Sequence, residues 1–457
     1  MSDWYWLASR LGRFSYGLPW QLKGFAKVGC LLAVAFPTVL WADNWPTWRG
    51  PEGTGVCRET GLPLRWSEET GEGIIWKTEI PQWGNSTPVI WGNAIFLTTQ
   101  SDDRLLVLRV DKATGRIVWT RQVGTADTPT DAPRGYQKFH NLNNNASPSV
   151  VTDGEHVVAH FGNGDLAVFN FAGELLWRRN LQRDYGRYTI WWGHANSPVI
   201  VDGLVISVCM QDSLADLQEK PQPSYVVAHD VKSGKEVWYT PRMTGAEKES
   251  CDAYTTPLVR RVGDRAEIIV MGAEWLDCYD ARTGQRLWYL PGLKGNRTIT
   301  GPTIAGDIVY ATIGMRGATF AARIGGTGEL PADRILWRYE GNNPDSPSPV
   351  YYQGLLYLAA DNGVVQCLDA KTGELKWRER IGRDIKASPI AAEGRIYFLD
   401  TAGQCTVVRA GEKYEVLAVN RVNDRTIASP AVSDGQIFLR GRNYLYCLGA
   451  KVGSDRP

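Results

Sequence analysis

Eight times along this chain a proline preceded by serine, threonine or glycine opens a short apolar run, and few architectures accept such a repeat. The pairs are Thr87-Pro88, Ser147-Pro148, Ser197-Pro198, Thr256-Pro257, Gly301-Pro302, Ser348-Pro349, Ser388-Pro389 and Ser429-Pro430. Proline has no N–H to give to a ladder, so it is tolerated at the first residue of a strand. A turn and a second apolar run follow, as in DGLVISV, QGLLYLA, EGRIYFL and DGQIFLR. Their near period-two alternation is a strand signal. Then comes Asp-x-x-Thr/Ser-Gly-x-x-x-Trp, at Asp111–Trp119, Asp230–Trp238, Asp280–Trp288 and Asp369–Trp377. Asp can accept the backbone N–H groups of the turn, and Gly takes the positive φ of a tight hairpin. Trp buries a large ring between neighbouring sheets, with its indole N–H free to find a carbonyl.

Weaker copies of this turn carry Trp177 and Trp337, and the seventh, Arg409 to Leu417, has neither Asp nor Trp. Four short antiparallel strands per unit, eight times over, predict an all-β, eight-bladed β-propeller. The eighth unit stops at Tyr446-Cys447-Leu448-Gly449, before any Trp strand. Gly73-Ile74-Ile75-Trp76-Lys77 matches the missing strand, so the N-terminal segment is expected to complete the last blade and close the ring. The seven tryptophans Trp76, Trp119, Trp177, Trp238, Trp288, Trp337 and Trp377 are expected to be scaffold. Expected boundaries are a leader over 1–42, a closing segment over 43–85, the repeats over 86–451 and a tail over 452–457.

Residues 28–42, VGCLLAVAFPTVLWA, form a short apolar run behind Lys23 and Lys27. This fits a signal peptide, with an uncleaved anchor as the alternative, and places the body in the periplasm or outside the cell. The formal net charge is +1, with no basic tract, which argues against nucleic acid as a partner. The eight cysteines show no CxxC, and HExxH is absent, so no zinc or other metal site is expected. Cys278, Cys367 and Cys447 recur at one repeat position and read as small buried apolar residues. Neither G-x-S-x-G nor a phosphate-cradling Gly-Lys-Ser loop occurs.

The Ser-Pro strands combined with LDAKTGELKW resemble the PQQ-like repeat over about residues 44–450. One branch of that family, the quinoprotein alcohol dehydrogenases, holds pyrroloquinoline quinone and calcium above the channel. Another is the non-catalytic propeller of outer-membrane protein assembly, BamB. The stretches NWPTWRGPEGTGV, FGNGDLAVFN and ASPIAAEGRIYFLDTAG are similar to a third group, exported repeat proteins of undefined activity. The dehydrogenases characteristically carry two adjacent cysteines against the quinone, and no two cysteines here are adjacent. Their calcium ligands match no stretch of this chain. The resemblance implies a non-catalytic binding scaffold of the cell envelope without a cofactor. The alternatives are a PQQ- and calcium-dependent dehydrogenase and a glycan-binding module. A repeat that builds a fold does not import that fold's chemistry.

In a propeller, the loops entering the innermost strands converge on the channel. Here they supply His140, Asn143, Asn145, His194, Asn196, Arg297, Lys386 and Arg425, and the turns after the second strands would add Asp212 and Arg316. Such a ring of amides and cations suits a small anionic or polyol ligand, or an unidentified protein partner. A channel mouth is also polar simply because it holds water. The aromatic-rich loop over 184–192 could stack on sugars or fold back on its own blade. A monomer is expected.

Overall fold

The computed structural model describes residues 44–126, 139–211, 223–315 and 317–450. The expected leader and C-terminal tail, and the candidates Asp212 and Arg316, lie outside the described residues. Eight antiparallel blades follow one another. Blades 1 to 7 run over Val89–Thr125, Val151–Asn180, Val199–Pro241, Leu258–Leu290, Thr303–Tyr339, Val350–Arg380 and Ile390–Arg421. Blade 8 combines Ala431–Leu448 with Ile74–Glu79, which pairs antiparallel to Tyr444–Leu448 and sets Trp76 opposite Cys447. The ring is therefore closed by the N-terminal strand, as the sequence predicts.

The first strand of each blade lies innermost, against the first strands of its neighbours. Serine and threonine precede proline there for a reason beyond strand entry. The Ser197 amide donates to Thr256 Oγ1 (3.3 Å), Ser348 to Ser388 Oγ (2.9 Å), and Ser388 to Ser429 Oγ (3.0 Å). Each hydroxyl thus accepts the amide of the preceding blade, which its own ladder leaves unpaired. Blade 2 shows that the pair Ser147-Pro148 stands two residues early. The belt position belongs to Ser149, whose Oγ accepts from the Thr87 amide (2.9 Å) and whose amide donates to Ser197 Oγ (2.9 Å).

The tryptophans lie on the outermost strands and lock each blade to the next. Indole N–H groups donate across the interface: Trp76 to Lys112 O (2.9 Å), Trp119 to Phe171 O (3.1 Å), Trp177 to Val231 O (2.7 Å). Trp238, Trp337 and Trp377 do the same to Ala281, Ala370 and Gly411. The turn glycine of the next blade packs beneath the rings of Trp76, Trp119, Trp177, Trp238 and Trp337. At Gly115 (φ 72°) a Cβ would come within 2.7 Å of the Trp76 ring, so the turn needs glycine for space as well as for φ. Trp288 departs from the set. Its Nε1 has no acceptor among the described residues, and Gly328–Glu329 adds a fifth, parallel strand outside it.

Blade 7 carries Ala418 where the others carry tryptophan. The gap is filled from the N-terminal segment. Trp66 stacks on Tyr397 (centroids 6.5 Å apart), as Trp377 meets Tyr357 (6.0 Å) in blade 6. Ser67 bridges to Arg421, and the Trp66 amide donates to Asn420 Oδ1 (2.9 Å).

Candidate binding mouth

The segment over residues 44–57 runs across the inside of the ring. Trp45 and Ile90 exchange backbone hydrogen bonds (2.9 Å each), and the Thr152 amide reaches Pro46 O (2.9 Å). Farther along, Ala391 donates to Gly55 O (2.9 Å) and Cys57 to Ala391 O (2.8 Å). The segment is thus tied to blades 1 and 2 at one end and to blade 7 at the other. Between these ties Arg49 donates to the carbonyls of Pro302 and Pro349, on blades 5 and 6. Trp48 occupies the middle. It lies over Gly301, where a Cβ would come within 2.8 Å of its ring. Gly301 is the one position of the proline pairs without a hydroxyl. Burial without a carboxylate partner lowers the Arg49 guanidinium to about 9, so it remains charged at neutral pH.

Above Trp48 opens a cavity of about 430 Å³, on the side where loops enter the inner strands. Leu142, Trp192, Tyr254, Ile299 and Ile427 make it largely apolar, and belt hydroxyls such as Ser197 and Ser388 ring its base. His140, Asn143, Arg297 and Lys386 from the sequence-derived set line it. Asn145, His194 and Asn196 do not. They are buried, and the last latches blade 3 to blade 4 by donating to Ala253 O (3.1 Å) and Thr255 O (2.8 Å). His194 stacks on Tyr188 (4.6 Å) and lies 4.7 Å from the His160 ring. Their polarity in the sequence marks blade-to-blade packing rather than the cavity wall. Arg425 sits in a neighbouring crevice. The aromatic loop mostly folds back on the ring: Tyr188 and Ile190 are buried, Tyr185 stacks on Tyr239 (5.2 Å), and Trp192 is its residue in the mouth.

The two expected cations that line the mouth, Arg297 and Lys386, are already paired. Arg297 bridges Glu249 (3.3 Å) and Asp345 (3.1 Å), and Lys386 meets Asp361 (2.7 Å). Asp361 also accepts the amides of Asp345 (2.6 Å) and Ser346 (3.0 Å). Burial and the nearby Arg297 and Lys386 charges push the His140 imidazole below its usual range, so it is neutral at pH 7. Burial raises the Asp345 carboxyl, against the pull of Arg297. Two acceptors are left over: Asp345 Oδ1 and Asn143 Oδ1 are buried without a donor among the described residues. The Asn143 amide nitrogen donates to Trp192 O (2.9 Å) and Gly193 O (3.1 Å), which fixes its oxygen as the open end. Sequence reasoning missed Trp48, Glu249 and Asp345. The aromatic-rich opening NWPTW was the one available signal for the first.

These residues also bear on a calcium–quinone pair. Among the described residues no three of His, Cys, Asp and Glu gather closely enough to hold a metal ion. The mouth carboxylates Glu249, Asp345 and Asp361 are engaged by Arg297 or Lys386. Cys57, Cys209, Cys251, Cys278, Cys367, Cys405 and Cys447 are buried thiols, and burial pushes Cys367 and Cys447 up to about 12. Among the described residues the donor set does not fit the pair.

Blade order, belt and mouth define a propeller of the PQQ-like repeat class. The family profile described as outer membrane protein assembly factor BamB matches residues 51–222 and 324–423, and the chain belongs to that family. No curated protein matches the sequence. Among solved structures, BamB from Moraxella catarrhalis aligns at 13% identity and a TM-score of 0.56, covering 84% of this chain and 99% of its own. The quinohemoprotein alcohol dehydrogenase from Comamonas testosteroni aligns at 12% identity and 0.61, covering 91% and 82%. The computationally designed Ika8 protein aligns at 12% and 0.55, covering 85% and 100%. At such identities the likeness shows the fold alone.

Proposed function

We propose that this chain is a non-catalytic binding propeller of the cell envelope, and that its mouth receives a neutral or cationic group rich in hydrogen-bond donors. The observation that carries this reading is the pair of donorless buried acceptors, Asp345 Oδ1 and Asn143 Oδ1, in a cavity floored by Trp48. A buried acceptor without a partner is costly, and a ligand donor would relieve it. The aromatic floor and wall suit a sugar face or the cation of a lysine- or arginine-bearing peptide from a protein partner. An anion, expected from the sequence, finds its candidate cations here already neutralised.

The test is a fluorescence titration of the purified chain with oligosaccharides and with short lysine- and arginine-containing peptides. Binding by one class, weakened about tenfold or more in Asp345→Asn and lost in Trp48→Ala, is the expected outcome. Quinone absorbance retained through gel filtration with calcium, together with alcohol-dependent dye reduction, would overturn the non-catalytic reading.

A further inference from the structure

Three arginines among the described residues are buried, and their surroundings differ. Arg242 meets the Asp277 carboxylate through Nε (3.1 Å) and Nη2 (3.0 Å). Arg49 gives both terminal nitrogens to carbonyls. Arg440 has no such provision. Its Nη1 donates to the carbonyl (3.1 Å) and hydroxyl of Ser86, while Nε and Nη2 have no acceptor among the described residues.

Arg440 lines a crevice of about 20 Å³ beside the mouth, together with Arg425, Arg442 and Trp83. That is room for about one water-sized group. Arg442 lies over the Trp83 ring, 5.2 Å from its centroid, and both Arg425 and Arg442 are exposed. Arg425, Arg440 and Arg442 form no ion pair among the described residues. The nearby carboxylate of Asp424 is turned to the backbone, accepting the amides of Arg425 (2.8 Å), Asn443 (2.9 Å) and Tyr444 (2.9 Å). Gly84 keeps the crevice open, since a Cβ there would come 3.0 Å from Arg440 Nη2.

We propose that this crevice binds an oxyanion, a carboxylate or phosphate group, with Arg440 as the buried donor and Arg425 and Arg442 closing over it. A guanidinium fork matches the oxygens of either group, and burial strengthens the bonds it makes. The volume admits about one oxygen and no ring, so a single oxygen of the anion enters toward Arg440, and the rest of a small ion or larger molecule stays at the opening. The site goes beyond the mouth reading: its donors are separate from the paired Arg297 and Lys386.

The experiment uses the full chain, with calorimetric titration and melting curves in sodium phosphate, sodium acetate and sodium chloride at matched ionic strength. Phosphate or acetate should bind saturably and raise the melting temperature beyond chloride. Preference for phosphate assigns a phosphoryl ligand, and preference for acetate a carboxylate. Arg440→Met should abolish the binding. The double variant Arg425→Gln/Arg442→Gln changes only exposed side chains, keeps the fold testable, and should weaken binding about tenfold or more. Phosphate and acetate both acting no differently from chloride, or binding unchanged in the double variant, would overturn the proposal.

Discussion

Trp66 shows how a single side chain can serve a repeat it does not belong to. The repeat tryptophans are legible because their turn motif is local, and each sits where the pattern puts it. Trp66 lies outside any repeat, and only the three-dimensional return of the chain brings it onto Tyr397 in blade 7. Trp66→Ala should therefore cost about 3–5 kcal/mol, as much as Trp377→Ala, by chemical denaturation. A cost near that of an exposed loop substitution would mean blade 7 needs no such filler. A second residue-scale prediction concerns His194, expected at the mouth from sequence because its loop precedes an innermost strand, and its buried neighbour His160. Burial lowers His160 to about 4 and also lowers His194, with the His160 charge adding to the effect. Tyr188 faces both rings, and the Asn196 carbonyl and the Asp165 charge pull His160 the other way. An unfolded histidine titrates near 6.5 and takes up a proton that the folded one refuses. Stability from this pair is fully present above pH 6.5 and falls as pH drops toward 4. Replacing both histidines with glutamine should flatten the melting temperature over that window; an unchanged slope would contradict their neutral burial.

At the level of elements, the N-terminal stretch does three jobs that sequence patterns separate poorly. Ile74–Glu79 closes the ring, and that strand was legible because it matches the repeat. Trp66 and Ser67 cover blade 7, and residues 44–57 floor the channel. The last two were not legible, since their hydrogen bonds go to strand edges as far as 354 residues away and leave no periodicity behind. The belt was only partly so. Seven pairs stand at the belt position, and the pair at Ser147 is two residues off because Ser149 follows its own proline. A graded truncation follows from this division. Removing residues 43–57 should leave a folded ring with a lower melting temperature and no mouth binding, because Trp48 goes with them. Removing 43–80 should aggregate or fail to fold, because blade 8 then exposes an edge and Trp76 leaves its pocket. Equal stability of the two truncations would contradict the ring-closing role of Ile74–Glu79.

On the scale of the whole molecule, fold and site were unequally readable for one physical reason. Blade architecture arises from short-range turn and strand chemistry repeated along the chain. The mouth arises from loops of different blades, and its charge state depends on pairings such as Arg297 with Glu249 and Asp345 that span 48 residues each. The cations could be listed from sequence, but their neutralisation could not. The most direct measurement of the ring as a floored cup is amide hydrogen exchange over residues 44–57. By sequence this is a proline- and glycine-rich stretch that would exchange like a surface loop. Paired to Ile90 O and Ala391 O, the amides of Trp45 and Cys57 should instead exchange as slowly as those of the blade strands. Exchange within the time of an unprotected loop would contradict the floor, and with it the mouth built above Trp48.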